Sequence, residues 1–271
     1  MLTLDLTNLE RSDIKYTFGT FPDGEPFVKL GEINRRHSIR VITRVTNPIE
    51  LFRLMQVCNV LKRHGISYDI HILYLMGTRM DRVMSFQEPF TLEVVAECIN
   101  SLKASWVWVD SPHSERTLEL IQNCSEGTFP FDLESYDYIC YPDKGAAERY
   151  NYLLEDTCNL LFCTKVRNPE TGELSGFSIT NPETYQGEGK SVCVVDDLCD
   201  GGGTFVGIAQ KLRELDPTMD LTIKVTHAIQ TSGIDKLRQH YDHVEITNSY
   251  NDWNNDENLK VVDVCSKSRI L

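Results

Sequence analysis

The sequence has no Cys-x-x-Cys pair, although it contains nine cysteines. That excludes the commonest zinc-site and thioredoxin-like spacings. The odd count, and the apolar runs in which several cysteines sit, argue against a disulfide framework and point to a reducing cytoplasm. Basic residues are scarce. Against 40 Asp and Glu stand 27 Lys and Arg, leaving a net charge of -13. A broad nucleic-acid footprint and a basic membrane surface are thereby excluded as expectations. A small phosphorylated ligand is not, because it needs only a few local cations, a metal ion and backbone N–H groups. No apolar run reaches about 18 residues, so no transmembrane helix is expected. The first residues, MLTLDLTNLERSD, are acidic and lack a long apolar core, so no signal peptide is expected either.

What is present is a globular composition: 271 residues, 41% hydrophobic and 25% charged, enough for one large domain or two ordinary ones. Apolar periodicity gives two similar halves. In the first, SIRVITRV is a strand, IELFRLMQVCNVLKRHG a helix ended by Gly65, and YDIHILYL a strand. TLEVVAECINSLK is then a helix with Thr91 as its N-cap, and SWVWVD a strand. In the second, YDYICYPD is a strand, GAAERYNYLLED a helix and NLLFCTK a strand. SVCVVDD, the helix TFVGIAQKLREL, and the strands LTIKVTHAI, HVEITNS and LKVVDV follow. Short strands alternating with longer helices predict an α/β fold with mostly parallel sheets.

Several strands end in polar residues: Asp110, Asp143, Lys165, and the pair Asp196–Asp197. Ligands of open α/β sheets gather beyond the carboxyl ends of the strands, so these are the first site candidates. An Asp in such a place more often opens a loop or caps a helix. Between Lys165 and Ser191 runs a long segment rich in Pro, Gly, Ser and Thr, with weak strand signals only. A segment of that length is a surface hairpin, a disordered stretch or a functional flap.

The densest chemistry lies in VVDDLCDGGGTF. Adjacent carboxylates can accept hydrogen bonds from vicinal sugar hydroxyls or hold a hydrated Mg²⁺. Three glycines allow a sharp turn that presents backbone N–H groups, and Thr204 can cap the helix that follows. The result is an anion cup at a helix N-terminus.

This stretch resembles the ribose-phosphate-binding loop of type I phosphoribosyltransferases. More closely, and over most of the chain, the sequence resembles ribose-phosphate diphosphokinases. FPDGE (Phe21 to Glu25), GTRMDRVMSFQEPF (Gly77 to Phe90), VDSPHSE, YPDKGAAER, TKVR, VTHAIQTSG and EITNS match that family's elements in order. The resemblance implies two tandem phosphoribosyltransferase-like α/β domains, with boundaries expected at 1–125 and 126–271. It implies transfer of the β,γ-diphosphoryl group of ATP to the anomeric hydroxyl of ribose 5-phosphate.

In that reading Lys165 and Arg167 stabilise the transferring group, and His113 and Asp143 hold Mg²⁺. Phe21, Asp23, Glu25, Arg79 and Asp81 bind ATP. Asp196 and Asp197 hold the ribose hydroxyls, while Asp200, Gly201, Gly202, Gly203 and Thr204 wrap its 5′-phosphate. A homo-oligomer is implied, because the family's FPDGE-type loop completes a neighbour's ATP site. The implied location is the cytoplasm, that of the host for a phage-encoded chain.

Two departures from the family pattern stand out. Met80 replaces its usual Gln, and Gly201 replaces its usual Thr in the phosphate loop. A smaller residue there could admit an acceptor extended at the 5′-phosphate. ADP-ribose, giving ADP-ribose pyrophosphate in a route that rebuilds NAD, is therefore the alternative acceptor. A non-catalytic regulatory homologue is a lesser alternative.

Overall fold

The computed structural model describes residues 1–127, 131–150, 159–167 and 174–265; of Val166, Arg167, Leu174 and Ser175 it describes the backbone alone. The chain divides into two compact units, Met1–Phe129 and Pro130–Leu271.

The first unit begins with strand β1 (Leu2–Asp5), the hairpin β2 (Tyr16–Thr20) and β3 (Pro26–Leu30), and β4 (Ile39–Val45). Helix α1 (Pro48–Arg63) follows, then β5 (Tyr68–Leu75), α2 (Thr91–Leu102), β6 (Val107–Val109), the short α3 (Arg116–Leu120) and β7 (Cys124–Glu126). The main sheet has the order β1-β4-β5-β6-β7, and every neighbouring pair is parallel.

Helix α1 starts where the Asn47 side chain accepts from the N–H groups of Ile49 and Glu50, with Pro48 in the first turn. Its buried face is Leu51, Leu54, Val57, Cys58 and Leu61, at the three- and four-residue spacing of an amphipathic helix. It ends as expected near Gly65, whose φ of 67° only glycine adopts readily. Thr91 is not the cap of α2. It is the first helical residue, Phe90 precedes it, and no side chain caps this end.

The hairpin gives no strong sequence signal, because it buries only one face, against α1. Gln56 donates to the Pro26 carbonyl at 2.9 Å, and the Arg53 guanidinium lies 4.8 Å from the Phe18 ring centroid.

The second unit contains β8 (Tyr138–Tyr141), α4 (Lys144–Tyr150), β9 (Asn159–Arg167), β10 (Leu174–Ile179) and β11 (Ser191–Cys199). It continues with α5 (Gly203–Leu215), β12 (Asp220–Ala228), α6 (Thr231–His240), β13 (His243–Thr247) and β14 (Leu259–Val262). The sheet order is β10-β9-β8-β11-β12-β13-β14, parallel except for the β10–β9 edge pair.

Central β11 explains its own sequence. Val192, Cys193, Val194 and Val195 are all 0% exposed, so an unbroken apolar run serves a strand covered on both faces. Three expectations change here. Strand β11 does not stop at Asp197 but continues to Cys199, paired with β12 to the last residue. The long segment after Lys165 is not wholly irregular, since β10 pairs with β9. Helix α6, polar outside and anchored by Gly233, Ile234 and Leu237, was not expected. Of the helix expected over 145–156, the part beyond Tyr150 lies outside the described residues.

Candidate functional site

In the second unit, β9, β8 and β11 are adjacent and parallel, so their carboxyl ends lie at one edge of the sheet. Chain order then brings Lys165, Asp143 and the Asp196–Asp197 stretch with its glycine loop to that edge. Lys165 Nζ lies 3.5 Å from Asp143 Oδ2. Asp143 also caps α4. Its Oδ1 accepts from the Ala146 N–H at 3.1 Å, and its carbonyl from the Ala147 N–H at 3.2 Å. The ordinary role of an Asp at a strand end is thus present beside the functional one. Arg167 lies at the end of β9, opposite Leu174 across the pair with β10; its side chain lies outside the described atoms.

At the other end of α4, Arg149 Nη1 reaches Asp197 Oδ1 at 2.7 Å and Asp196 Oδ1 at 3.6 Å. Asp196 also accepts, at 2.9 Å, from the Asp197 N–H. Burial, and then the neighbouring Asp197 charge, push the Asp196 carboxyl well above the ordinary carboxylate range. Burial works to lower the pKa of the Arg149 guanidinium, but Asp197, Tyr150 and Asp196 outweigh it and keep the cation favoured. The expectations did not include Arg149, yet it stands six residues after Asp143, on the helix that Asp143 caps.

Beyond β11 the chain turns through Gly201 and Gly202 into α5. Gly202, with φ of 76°, is the N-cap, and no side chain caps this end. Thr204 is therefore inside the first turn rather than capping it. The loop is held from α6 by close backbone approach. A Cβ on Gly233 would stand 2.1 Å from the Asp200 carbonyl oxygen, and one on Gly202 would stand 3.0 Å from the Gly233 carbonyl oxygen. Gln230 Nε2 donates to Asp200 Oδ1 at 2.6 Å, and Lys236 Nζ donates to the Gly201 carbonyl at 2.8 Å. Lys236, exposed and absent from the expected set, places a cation at the loop. A Cβ on Gly201, as on Gly203, meets nothing within 4 Å, whereas Gly202 between them is crowded.

The first unit holds a pocket of about 520 Å³ lined by Arg79, Met80, Asp81, Arg82, Thr91 and His113, among others. The residues expected for ATP phosphates and the histidine expected for metal thus share one cavity. Burial alone would raise the Asp81 carboxyl. Hydrogen bonds from Arg82 and Ser114 outweigh it and hold Asp81 below its ordinary value.

Phe21, Asp23 and Glu25 form the tip of the β2–β3 hairpin and do not line that pocket. Phe21 is 51% exposed, with its ring centroid 4.9 Å from that of Phe27. Asp23 Oδ1 accepts from the Glu25 N–H, which fixes the turn. At the foot of β6, Ser111 has φ of 38°, a strained value for serine, and precedes the loop that carries His113. His71, another residue outside the expected set, bonds Asp110 at 2.7 Å.

His113 belongs to the first unit and Asp143 to the second. Among the described residues, no three His, Cys, Asp or Glu side chains gather as a metal cage. Among the described residues, eight cysteines are in no disulfide. No described helix is long and apolar enough to cross a membrane.

No protein-family model matches the chain. A ribose-phosphate pyrophosphokinase of Pyrococcus furiosus is 26% identical over 241 residues, which cover 84% of this chain and 84% of that protein. Over most of its length the chain is similar to ribose-phosphate pyrophosphokinases. Another pyrophosphokinase of this family, from Aeropyrum pernix, is 28% identical over 216 residues, covering 74% of this chain and 69% of that protein. The one from Sulfolobus acidocaldarius is 26% identical over 211 residues, covering 73% and 71%. The fold is that of the solved phosphoribosylpyrophosphate synthetase of Mycobacterium smegmatis. The TM-score is 0.75 at 20% identity, over 94% of this chain and 88% of that one.

Proposed function

We propose that the protein transfers the β,γ-diphosphoryl group of ATP to the anomeric hydroxyl of ribose 5-phosphate, releasing AMP. The observation that carries this reading is the single sheet edge at which Lys165, Asp143, the acid pair and the open N-terminus of α5 meet. Phosphoryl transfer needs in-line positioning and charge neutralisation more than it needs a covalent nucleophile. The acceptor oxygen forms a bond to the β-phosphorus, the bond from that phosphorus to the bridging α,β oxygen breaks, AMP leaves with that oxygen, and the hydroxyl proton passes to solvent.

Lys165 and Arg167 offset the charge that builds on the β-phosphoryl oxygens. The ribose hydroxyls are received at the Asp196–Asp197 acid pair. Asp200, Gly201, Gly202, Gly203 and Thr204 take the 5′-phosphate at the uncapped start of α5, where N–H groups and the helix dipole favour an anion. Arg79 and Asp81 serve the ATP phosphates, and Phe21, Asp23 and Glu25 the adenosine of an ATP bound to a neighbouring copy. That last assignment agrees with the hairpin tip standing outside the Arg79 pocket, and it makes the working form a homo-oligomer.

Phosphate enzymes hold Mg²⁺ with one or two carboxylates, waters and the nucleotide phosphates. Asp143, with 45% of its side chain exposed, supplies such a carboxylate, and His113 lies in the pocket with Arg79. When bound, Mg²⁺ neutralises charge on the phosphates.

A second reading, transfer to ADP-ribose, is favoured by one observation: the space around Gly201 is open where a side chain would stand. Incubation with ATP and Mg²⁺ and each acceptor in turn tests both. AMP release with ribose 5-phosphate and none with ADP-ribose supports the first reading and ends the second. The reverse pattern ends the first. No AMP with either acceptor returns the chain to a non-catalytic role.

A further inference from the structure

Adjacent residues of an extended strand ordinarily point to opposite faces. Asp196 and Asp197 are nonetheless joined by one guanidinium nitrogen, Arg149 Nη1. The two acids are not equivalent. The Asp197 side chain is 2% exposed and sits 2.7 Å from Arg149, a buried ion pair. The Asp196 side chain is 17% exposed. Arg149 reaches Asp196 only at 3.6 Å, against 2.7 Å for Asp197. A hydroxyl that approaches the more exposed Asp196 meets the weaker of the two contacts to Arg149. To meet Asp197 it must break a buried ion pair and strand a guanidinium, which is costly.

We infer that Arg149 is a positioning residue of the acceptor site, locking Asp197 in the interior so that Asp196 alone receives the vicinal hydroxyls of the acceptor sugar. The inference rests on the ribose-type acceptor proposed above. Helix α4 gives it a second support. Its first turn is capped by Asp143, the partner of Lys165, and its last residues include Arg149, the partner of the acid pair. One helix of seven residues therefore sets the spacing between the candidate transferring cation and the sugar-binding acid. Arginine suits the post better than lysine, because a planar fork can engage two carboxylates and lie beside the Tyr150 ring, 5.8 Å away.

The test is calorimetric titration of the full chain with ribose 5-phosphate, paired with KM values for ATP and thermal midpoints. R149Q is expected to weaken acceptor binding about tenfold or more, the worth of a hydrogen bond to a charged group. Its KM for ATP should stay within about twofold, and R149K should recover part of the loss. D196N should abolish most acceptor binding. D197N should chiefly lower the thermal midpoint, and adding it to R149Q should cost the acceptor little more, because the two act as one unit.

Unchanged acceptor affinity in R149Q overturns the inference. So does a D197N variant that keeps its thermal midpoint yet loses acceptor affinity as fully as D196N. If R149Q does not fold, R149K decides: acceptor affinity must fall by more than ATP affinity. Wild-type protein that binds ATP but not ribose 5-phosphate overturns the acceptor reading and this inference together. Normal wild-type binding with an indifferent R149Q overturns the inference alone.

Discussion

Lys165 and Asp143 form an ion pair, Nζ to Oδ2 at 3.5 Å, across the ends of two neighbouring parallel strands. Both side chains are more than a third exposed, so the pair adds little to stability. Its interest is in where it places charge. Lys165→Ala should leave the thermal midpoint nearly unchanged and lower kcat about 10²–10³-fold, as loss of a preorganised charge-stabilising donor does.

Asp143 separates into two functions by substitution. Asn is as good an N-cap as Asp, so Asp143→Asn should keep α4 and raise the Mg²⁺ concentration needed for half-maximal rate. Asp143→Ala should do the same and also cost about 1 kcal/mol of stability through the lost cap. Equal thermal midpoints for the two variants would remove the capping role.

The loop glycines should respond oppositely. In a helix, alanine is worth up to about 1 kcal/mol over glycine, yet Gly233→Ala drives a Cβ to 2.1 Å from the Asp200 carbonyl oxygen. The clash wins, and a loss of about 1–3 kcal/mol in chemical denaturation is expected. Gly201→Thr enters open space and should keep stability. If the ADP-ribose reading holds, it should raise the KM for that acceptor far more than for ribose 5-phosphate.

Asp216 accepts from the Thr218 N–H and hydroxyl, the Tyr185 hydroxyl and the Gly189 N–H. These bonds, that of the Thr218 hydroxyl foremost, hold its carboxyl well below the ordinary 3.8. The unfolded chain then binds the proton more readily than the folded one. The stability that Asp216 contributes is present above the ordinary value and lost as pH falls through the depressed native one. Thermal midpoints of Asp216→Asn should lie below wild type at neutral pH, and the gap should narrow toward about pH 2. A constant gap across that window would contradict this.

Phe21 is half exposed at a hairpin tip and leaves the cavity of Arg79 untouched. Phe21→Ala should shift stability by no more than about 1 kcal/mol, the scale of one aromatic pair. It should raise the KM for ATP about tenfold if the ring stacks on adenine. Mixing Phe21→Ala with Arg79→Ala protein should restore activity if the tip serves a neighbour, because some mixed sites are then intact.

The parts of this fold that were legible in the sequence are those with a strict period or a strong terminator. Helix α1, with Gly65 ending its apolar face, is one. Central β11, with its unbroken Val192–Val195 run, is another. Hairpin β2–β3 and edge strand β10 escaped notice because each is half covered and its alternation is diluted by glycine and polar residues.

The glycine loop was legible as an anion cup. Its anchors were not, because Gly233 acts through a backbone approach, and Gln230 and Lys236 through side-chain hydrogen bonds, from some thirty residues away. Arg149 was hidden for a similar reason. On a helix it reads as one more solvated charge, and only the fold brings it against two carboxylates.

The most direct test of the central claim follows the β-phosphorus of ATP. With ATP isotopically labelled at that atom, Mg²⁺ and ribose 5-phosphate, the account predicts that the label appears in the sugar product together with the γ-phosphate, and that the nucleotide product is unlabelled AMP. Label retained in ADP, with only the γ-phosphate on the sugar, would make the protein an ordinary kinase and contradict the account.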